Sequence, residues 1–267
     1  MGNASTAAAD PAALLKIERA GRVLTVGLNR PAKRNALNDG IILEIGKCFS
    51  QLPEDIGAVV IHGIGDHFSS GLDLSELTEH DATGGLIHSQ MWHRVFDRIQ
   101  YSRVPVIAAL KGAVIGGGLE LACAAHIRVA EPSAYFALPE GTRGIFVGGG
   151  GSVRLPRLIG VARMTDMMLT GRVYSATEGA SYGFAQYLVE AGGGLAKAME
   201  LAERIASNAP LTNFAVLQAL PMIAEANPQT GLLMESLMAT VAQSDKEAKR
   251  RIREFLEHKT AKVKPKK

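Results

Sequence analysis

The sequence predicts an α/β layered fold that is followed by a helical C-terminal region. Apolar segments typical of buried strands are followed by glycine-rich turns and helices, and this unit recurs along the chain up to Gly194. The 267 residues are 47% hydrophobic and 21% charged, which suits one large core and excludes a disordered or a membrane-embedded chain. The periodicity leaves open a doubly wound sheet or a spiral of strands and helices.

The first predicted elements are two strands and a helix. Residues 14–28 suggest two short strands around a turn at 20–22. Asn38 is placed to cap a helix, because the apolar residues after it recur at helical spacing. These residues are Ile41, Ile42, Ile45 and Phe49. Pro53 ends the helix, and 58–62 is predicted to be a compact buried strand.

The pattern then repeats before it changes. An apolar strand at 104–110 precedes a glycine-rich turn and a helix at 117–125, and further strands are expected at 127–130 and 135–137. Later segments predict helices at 196–207, 210–225 and 230–256. The predicted divisions are an N-terminal disordered tail at 1–13, a core domain at 14–194, a helical oligomerisation region at 195–258 and a basic tail at 259–267.

Charge and cysteine content narrow the class of protein. The formal net charge of +3 does not by itself indicate nucleic-acid binding, and it would suit an anionic substrate. Cys48 and Cys123 have no metal-type spacing and imply no disulfide framework, so the cytoplasm is the default location. The N-terminus matches a short myristoylation pattern, but a disordered tail is the better interpretation.

Three glycine-rich segments are candidates for binding sites, at 63–74, 111–120 and 144–152. None ends in Gly-Lys-Ser/Thr, none has the position and spacing of a dinucleotide fingerprint, and no Gly-x-Ser-x-Gly motif of a serine hydrolase is present. An anion could bind where such a segment opens a helix. Tight turns and close packing explain a single segment equally well.

The second glycine-rich segment carries more information because Glu120 follows Gly116-Gly117-Gly118. Backbone N–H groups at a helix start can stabilise an oxygen that becomes negative on a thioester carbonyl. A second carboxylate, Glu140, follows a predicted strand, and two carboxylates on one water suffice for acid/base addition to a double bond. From spacing alone, a first-turn charge and an exposed loop residue explain these two glutamates better.

Four sequence motifs favour a catalytic role for these two glutamates instead. They are NRPAKRNALN at 29–38, FSSGLDL at 68–74, GGGLELA at 116–122 within the segment 105–130, and Pro139-Glu140 followed by the segment 148–160. In sequence and in order they resemble those of the enoyl-CoA hydratase/isomerase (crotonase) family, over roughly residues 15–260. The resemblance implies a spiral of ββα units, with C-terminal helices that mediate a homotrimer or a dimer of trimers.

The resemblance also implies roles for particular residues. Glu120 and Glu140 match the two glutamates of the hydratase branch, and the backbone N–H groups of Leu72 and Gly117 would form the oxyanion hole. The residues implied to bind the CoA thioester are Lys33, Arg34, Ser70, Gly71, Asp73, Leu74, Gly116, Phe255 and Lys259. No metal and no separate cofactor is expected, since coenzyme A is part of the substrate.

The implied reaction is hydration of an enoyl-CoA to a 3-hydroxyacyl-CoA. Alternatives on the same fold are an isomerase, or a hydratase coupled to thioester hydrolysis or carbon–carbon cleavage. The lysines of the basic tail suggest an RNA-binding homologue, but no aromatic residues interleave to stack bases, so neither nucleic acid nor a membrane is expected as a partner. An inactive scaffold subunit is a further alternative, which the retained glutamate pair disfavours.

Three positions depart from the family pattern or match it poorly. His126 stands where the family often has an acidic residue, and it is predicted to be a surface or packing histidine. Val147 replaces the usual proline and is expected to reshape the acyl pocket near Phe146. Trp92 is predicted to lie on a helix over the substrate, or else in the core.

Overall fold

The computed structural model describes residues 13–75 and 81–257. The described chain divides into two compact units, and the first of them ends at Ala206. The predicted disordered tail at 1–13 lies outside the described residues except for its last residue, and the basic tail at 259–267 lies wholly outside them.

The first unit contains nine strands and seven α-helices among its described residues. The strands are β1 (Leu15–Ala20), β2 (Val23–Leu28), β3 (Ala58–Gly63), β4 (Val106–Leu110), β5 (Ala113–Ile115), β6 (Ile127–Ala130), β7 (Tyr135–Ala137), β8 (Val173–Ser175) and β9 (Tyr187–Leu188). The helices are α1 (Asp39–Ser50), α2 (Ala82–Gln100), α3 (Gly117–Ala124), α4 (Gly151–Ile159), α5 (Val161–Thr170), α6 (Ala176–Tyr182) and α7 (Gly194–Ala206).

The larger sheet has the strand order β1-β2-β3-β4-β6-β9. Only β1 and β2 pair antiparallel, and every later neighbour is parallel. Parallel strands covered on both faces are continuous apolar runs, which is why every residue of β4 is buried. In β3, Val59 belongs to the core that includes α1 and α2, whereas Val60 packs against Ala198 and Leu201 of α7.

A second sheet makes the architecture a spiral rather than a doubly wound sheet. It has the order β5-β7-β8, and the chain passes from β4 to β5 and from β6 to β7. Isolated bridges join Ser69 to Val114 and Leu37 to Leu72, so segments that follow β2 and β3 extend the same layer. The segments that follow successive strands of the larger sheet therefore lie side by side in this second layer. They form the site described below.

The second unit is helical; the segment 210–225 is helical throughout, as predicted, and the difference lies after it. It contains α8 (Pro210–Phe214), a π-helix (Ala215–Ala219), α9 (Leu220–Glu225), α10 (Pro228–Ser244) and α11 (Lys246–Leu256). The single helix predicted at 230–256 is wrong, because Asp245 adopts an extended conformation (ψ 139) and its side chain caps α11. The helix α7, expected in the C-terminal region, packs instead on the larger sheet, so the first unit ends at Ala206. No helix of the described residues is long and apolar enough to cross a membrane.

Candidate active site

A cavity of about 490 Å³ opens where α2, α3 and the segment 139–149 face one another. It gathers eight of the predicted catalytic and substrate-binding residues: Ser70, Gly71, Leu72, Leu74, Gly116, Gly117, Glu120 and Glu140. Its remaining wall is mainly apolar and includes Trp92, Ile145, Phe146 and Val147. Segments that are distant in sequence therefore meet at one pocket.

Two backbone amides, of Leu72 and Gly117, lie beside each other in this cavity. A Cβ on Gly117 would be 3.6 Å from the Leu72 nitrogen, and a Cβ on Gly71 would be 3.3 Å from the Gly117 nitrogen and 2.6 Å from the Ile115 oxygen. Gly71 also has φ +88, so glycine is required there. Within the described part of the chain, neither amide donates to another backbone group. Both donors are available to an oxygen of a bound molecule.

Glu120 lies on the first turn of α3 and is only 3% exposed. Its Oε1 accepts hydrogen bonds from the amides of Gly149 (2.9 Å) and Gly151 (2.7 Å). Burial raises the pKa of Glu120 to about 7; the charge of Glu140 also raises it, whereas the two amide bonds and the charge of Arg154 lower it. A carboxyl group with this pKa can give or take a proton near neutral pH.

Glu140 follows β7 and is 8% exposed. A Cβ on Gly116 would be 2.7 Å from its Oε1, so glycine at 116 leaves room for the carboxyl group. Its Oε2 is buried and has no hydrogen-bond partner among the described residues. Burial raises the pKa of Glu140, against the opposing charge of Arg143. The two glutamates therefore form an electrostatically coupled pair in one cavity.

Other predicted residues lie elsewhere. Asp73 does not line the cavity; its buried carboxylate pairs with Arg30 at 2.8 Å and Lys33 at 3.0 Å, and these bonds, with those to Ser75, hold its pKa far below the usual range in spite of burial. The Ser70 hydroxyl and amide donate to the carbonyls of Lys33 and Arg34, respectively. These contacts fix the loop that carries Leu72. Phe255 is 55% exposed in the second unit, and Lys259 lies outside the described residues.

His126 has the packing role that was expected. Its Nδ1 accepts from the Val106 amide at 2.9 Å, so Nε2 carries the hydrogen and donates to the Gln100 carbonyl, also at 2.9 Å. Burial lowers the pKa of His126 to about 4, which keeps the ring neutral at neutral pH. The imidazole thus joins β4 to the end of α2.

Sequence inspection missed the residues that hold Glu120. The amides of Gly149 and Gly151 come from the third glycine-rich segment, and Arg154 fixes that segment by donating to the Gly149 carbonyl at 3.0 Å. The same guanidinium bonds Gln100 at 2.6 Å and Asp97 at 2.5 Å. The sequence showed the glycine run, but it did not show that Glu120 accepts hydrogen bonds from the amides of that run.

Known proteins share both the sequence and this architecture. A sequence model described as "Enoyl-CoA hydratase/isomerase" matches residues 18–266. The chain belongs to this family. The 2,3-dehydroadipyl-CoA hydratase of Escherichia coli is 34% identical over 92% of this chain and 96% of its own. The short-chain-enoyl-CoA hydratase of Clostridium acetobutylicum is 34% identical over 82% and 85%. The crystal structure of a candidate enoyl-CoA hydratase from Rhodopseudomonas palustris CGA009 has 76% identity and a TM-score of 0.91, covering 97% of this chain and all of that one (100%).

These comparisons confirm the crotonase fold that the motifs predicted, and they make this family member an enzyme of the hydratase/lyase kind. The mixed α/β first unit and the helical end of the chain agree with that fold.

The raised pKa of Glu120 predicts a pH-dependent stability for this crotonase. Between about pH 4.5 and 7 the folded protein holds a proton that the unfolded chain has released, so the free energy of unfolding should fall as the pH rises through this window. Glu120→Gln cannot titrate at this position, so its fall should be smaller and limited to the contribution of Glu140, whose pKa burial also raises. Denaturant unfolding of both proteins from about pH 4 to about pH 8 measures it. If the free energy of unfolding changes with pH equally in the wild type and in Glu120→Gln, the Glu120 carboxyl group does not have the raised pKa that its burial implies.

Arg154 should affect both the pKa of Glu120 and the free energy of unfolding. Arg154→Met removes a buried partner of three groups, so it should lower the free energy of unfolding by about 1–3 kcal/mol. Loss of its charge should also move the Glu120-dependent transition to higher pH. Arg154→Lys should lose stability but keep that pH, and exposed Arg157→Met on the same helix is the control. An unmoved transition in Arg154→Met would show that Arg154 only supports the fold.

Proposed function

We propose that the protein adds water across the 2,3 double bond of an enoyl-CoA thioester to give a 3-hydroxyacyl-CoA. The supporting observation is that two buried glutamates and two adjacent backbone donors line the same cavity. Hydration needs a base, an acid and a site for negative charge on the thioester oxygen. The two glutamates and the two amides are proposed to supply all three.

In the proposed reaction, the thioester oxygen accepts hydrogen bonds from the Leu72 and Gly117 amides. The two bonds from Gly149 and Gly151 favour the ionised form of Glu120, which suits removal of a proton from water. The water oxygen then bonds to the β-carbon, and Glu140 gives a proton to the α-carbon. The double bond is consumed, and the charge that develops on the thioester oxygen is stabilised by the two amides.

The rest of the site would hold the substrate. Ser70, Gly71, Leu74 and Gly116 line the cavity and are proposed to contact the thioester and the CoA moiety, with Lys33 and Arg34 on the adjoining loop. Asp73 would act indirectly, through its ion pairs with Arg30 and Lys33. Phe255 and Lys259 remain proposed CoA contacts. No cofactor is proposed beyond the coenzyme A of the substrate.

The test is a panel of enoyl-CoA thioesters in which the hydrated product, the shifted double bond and free CoA are all measured. Hydration without release of CoA supports the proposal. A double-bond shift without hydration would replace it with an isomerase, and release of CoA would indicate a hydrolase. The relatives' names include both a short-chain and a dicarboxylic substrate, so they leave the acyl group open.

The surface of the second unit supports an oligomeric assembly. The second unit exposes large apolar side chains that a lone chain would leave in water: Phe214, Leu220, Leu232, Leu233 and Leu237 are 45%, 57%, 64%, 61% and 58% exposed. We propose that they are covered in a homotrimer or a dimer of trimers. A cytoplasmic location is proposed from the cysteine usage.

A further inference from the structure

One cationic side chain in the cavity is not used by the proposed hydration. Arg143 lines the cavity, and the described lining residues include no lysine and no other arginine. Three other cations have carboxylate partners: Arg30 and Lys33 pair with Asp73, and Arg154 pairs with Asp97. Among the described residues no carboxylate forms an ion pair with Arg143, and its charge acts on Glu140 without such a contact. Its guanidinium is therefore available to a bound anion.

The turn that carries Arg143 is fixed by its surroundings. Residues Gly141–Arg143 form a short 3-10 helix, and the Glu140 carbonyl accepts from the amides of Arg143 and Ile145 at 3.0 Å each. The Thr142 hydroxyl donates to the Pro139 carbonyl at 2.8 Å. A Cβ on Gly141 would be 2.1 Å from the Met168 carbonyl oxygen, so α5 packs directly against the turn. The backbone of Arg143 is thus held in a defined position relative to Glu140.

The position of the turn indicates which part of a substrate Arg143 would meet. The loop with Ser70 and Leu74 would receive the CoA side of the thioester, and the glutamates would flank the reacting carbons. Arg143 comes three residues after Glu140, beside Ile145 and Phe146, which are 44% and 69% exposed and line the same cavity. The segment 143–146 thus brings one guanidinium and two large apolar side chains to the cavity lining. An acyl chain with a terminal carboxylate complements that pattern.

We propose that Arg143 is a specificity-determining residue that selects acyl-CoA thioesters whose acyl chain ends in a carboxylate. This inference rests on the proposed hydration for its kinetic test. A guanidinium binds a carboxylate through paired, charge-assisted hydrogen bonds, which a methyl-terminated chain cannot form. Removing one partner of such a contact should cost about tenfold or more in affinity.

The experiment compares matched pairs of 2-enoyl-CoA substrates of five to eight carbons, one of each pair ending in a carboxylate and the other in a methyl group. The wild type should show a higher kcat/KM for the carboxylate member of at least one pair. Arg143→Met should reduce kcat/KM for that substrate about tenfold or more. After division by any loss that both substrates share, kcat/KM for the methyl-terminated partner should stay within about twofold of the wild-type value. Arg143→Lys should retain part of the preference. Exposed Arg94→Met, on α2 and outside the cavity lining, is the control for overall charge.

The ratio between paired substrates separates this role from an effect on Glu140. Loss of the Arg143 charge changes the environment of Glu140 for every substrate alike, so it cancels in the ratio. Equal loss on both members, or a wild-type preference for methyl-terminated chains at every length, would overturn the proposal. Calorimetric binding of the saturated acyl-CoA pairs tests it even if no enoyl-CoA is hydrated, and there a lack of preference also overturns it.

Discussion

Glu120→Gln and Glu140→Gln should each reduce the rate of crotonyl-CoA hydration by about a hundred-fold or more. Either change removes a proton-transfer group while keeping its volume, and the amide oxygen introduced at position 120 can still accept hydrogen bonds from Gly149 and Gly151. If the pair acts together on one water, the double variant should lose far less than the product of the two single losses. Affinity for a CoA ester should survive, because the Leu72 and Gly117 amides are unchanged.

The measurement is the hydration rate of the wild type, both single variants and the double variant, with CoA-ester affinity measured separately. Circular dichroism of each variant shows whether the fold is intact. Near-normal hydration by either single variant would rule out the two-glutamate mechanism. Losses that multiply in the double variant would mean that the two carboxylates act in independent steps.

Gly151→Ala should have the next largest effect, a loss of about ten- to a hundred-fold in kcat. The new Cβ would lie 2.8 Å from Glu120 Cγ and 2.9 Å from Oε1, so the carboxyl group must move away from its amide donors. The backbone at 151 has an ordinary helical conformation, so this change acts through contact with Glu120 and not through backbone strain.

Gly148→Ala is the matched control for that change. It lies in the same glycine run, and its nearest neighbour would be Ser89 Oγ at 3.8 Å, an ordinary contact. We expect a much smaller loss there. The same panel of rates measures both variants, with thermal unfolding to compare their stability. Equal losses at 148 and 151 would show that the run tolerates no side chain for reasons unrelated to Glu120.

The elements that the sequence predicted well are those whose burial leaves a long pattern. The apolar run of β3 and the helical spacing in α1 allowed both to be placed within about two residues. Strands β5, β8 and β9 have only three, three and two residues and were not predicted, whereas the equally short β7 was predicted because its Tyr135 and Phe136 are typical of strands. The break at Asp245 was missed because apolar residues continue at helical spacing on both sides of it.

The sequence predicted those residues of the candidate site that lie within recognisable motifs, but not their long-range partners. Glu120 and Glu140 were found through the family resemblance, and the structure places them in one cavity. The bonds from Gly149 and Gly151 to Glu120 span 29 and 31 residues, and no local rule of sequence predicts such a pairing. Arg143 was passed over because an arginine in a turn is ordinary until the cavity around it is known.

The pair of amides at Leu72 and Gly117 has a consequence for how this protein tolerates mutation. An N–H group is present whatever side chain residue 72 carries, proline excepted, so substitutions there should alter the width of the pocket and leave the donor in place. The constraint falls on Gly71, whose φ of +88 and close approach to Ile115 aim that donor. A saturation screen would accordingly find position 72 permissive and position 71 almost invariant. In such a screen Leu72, which supplies the donor, would tolerate substitution, whereas Gly71, which supplies no group to the site, would not.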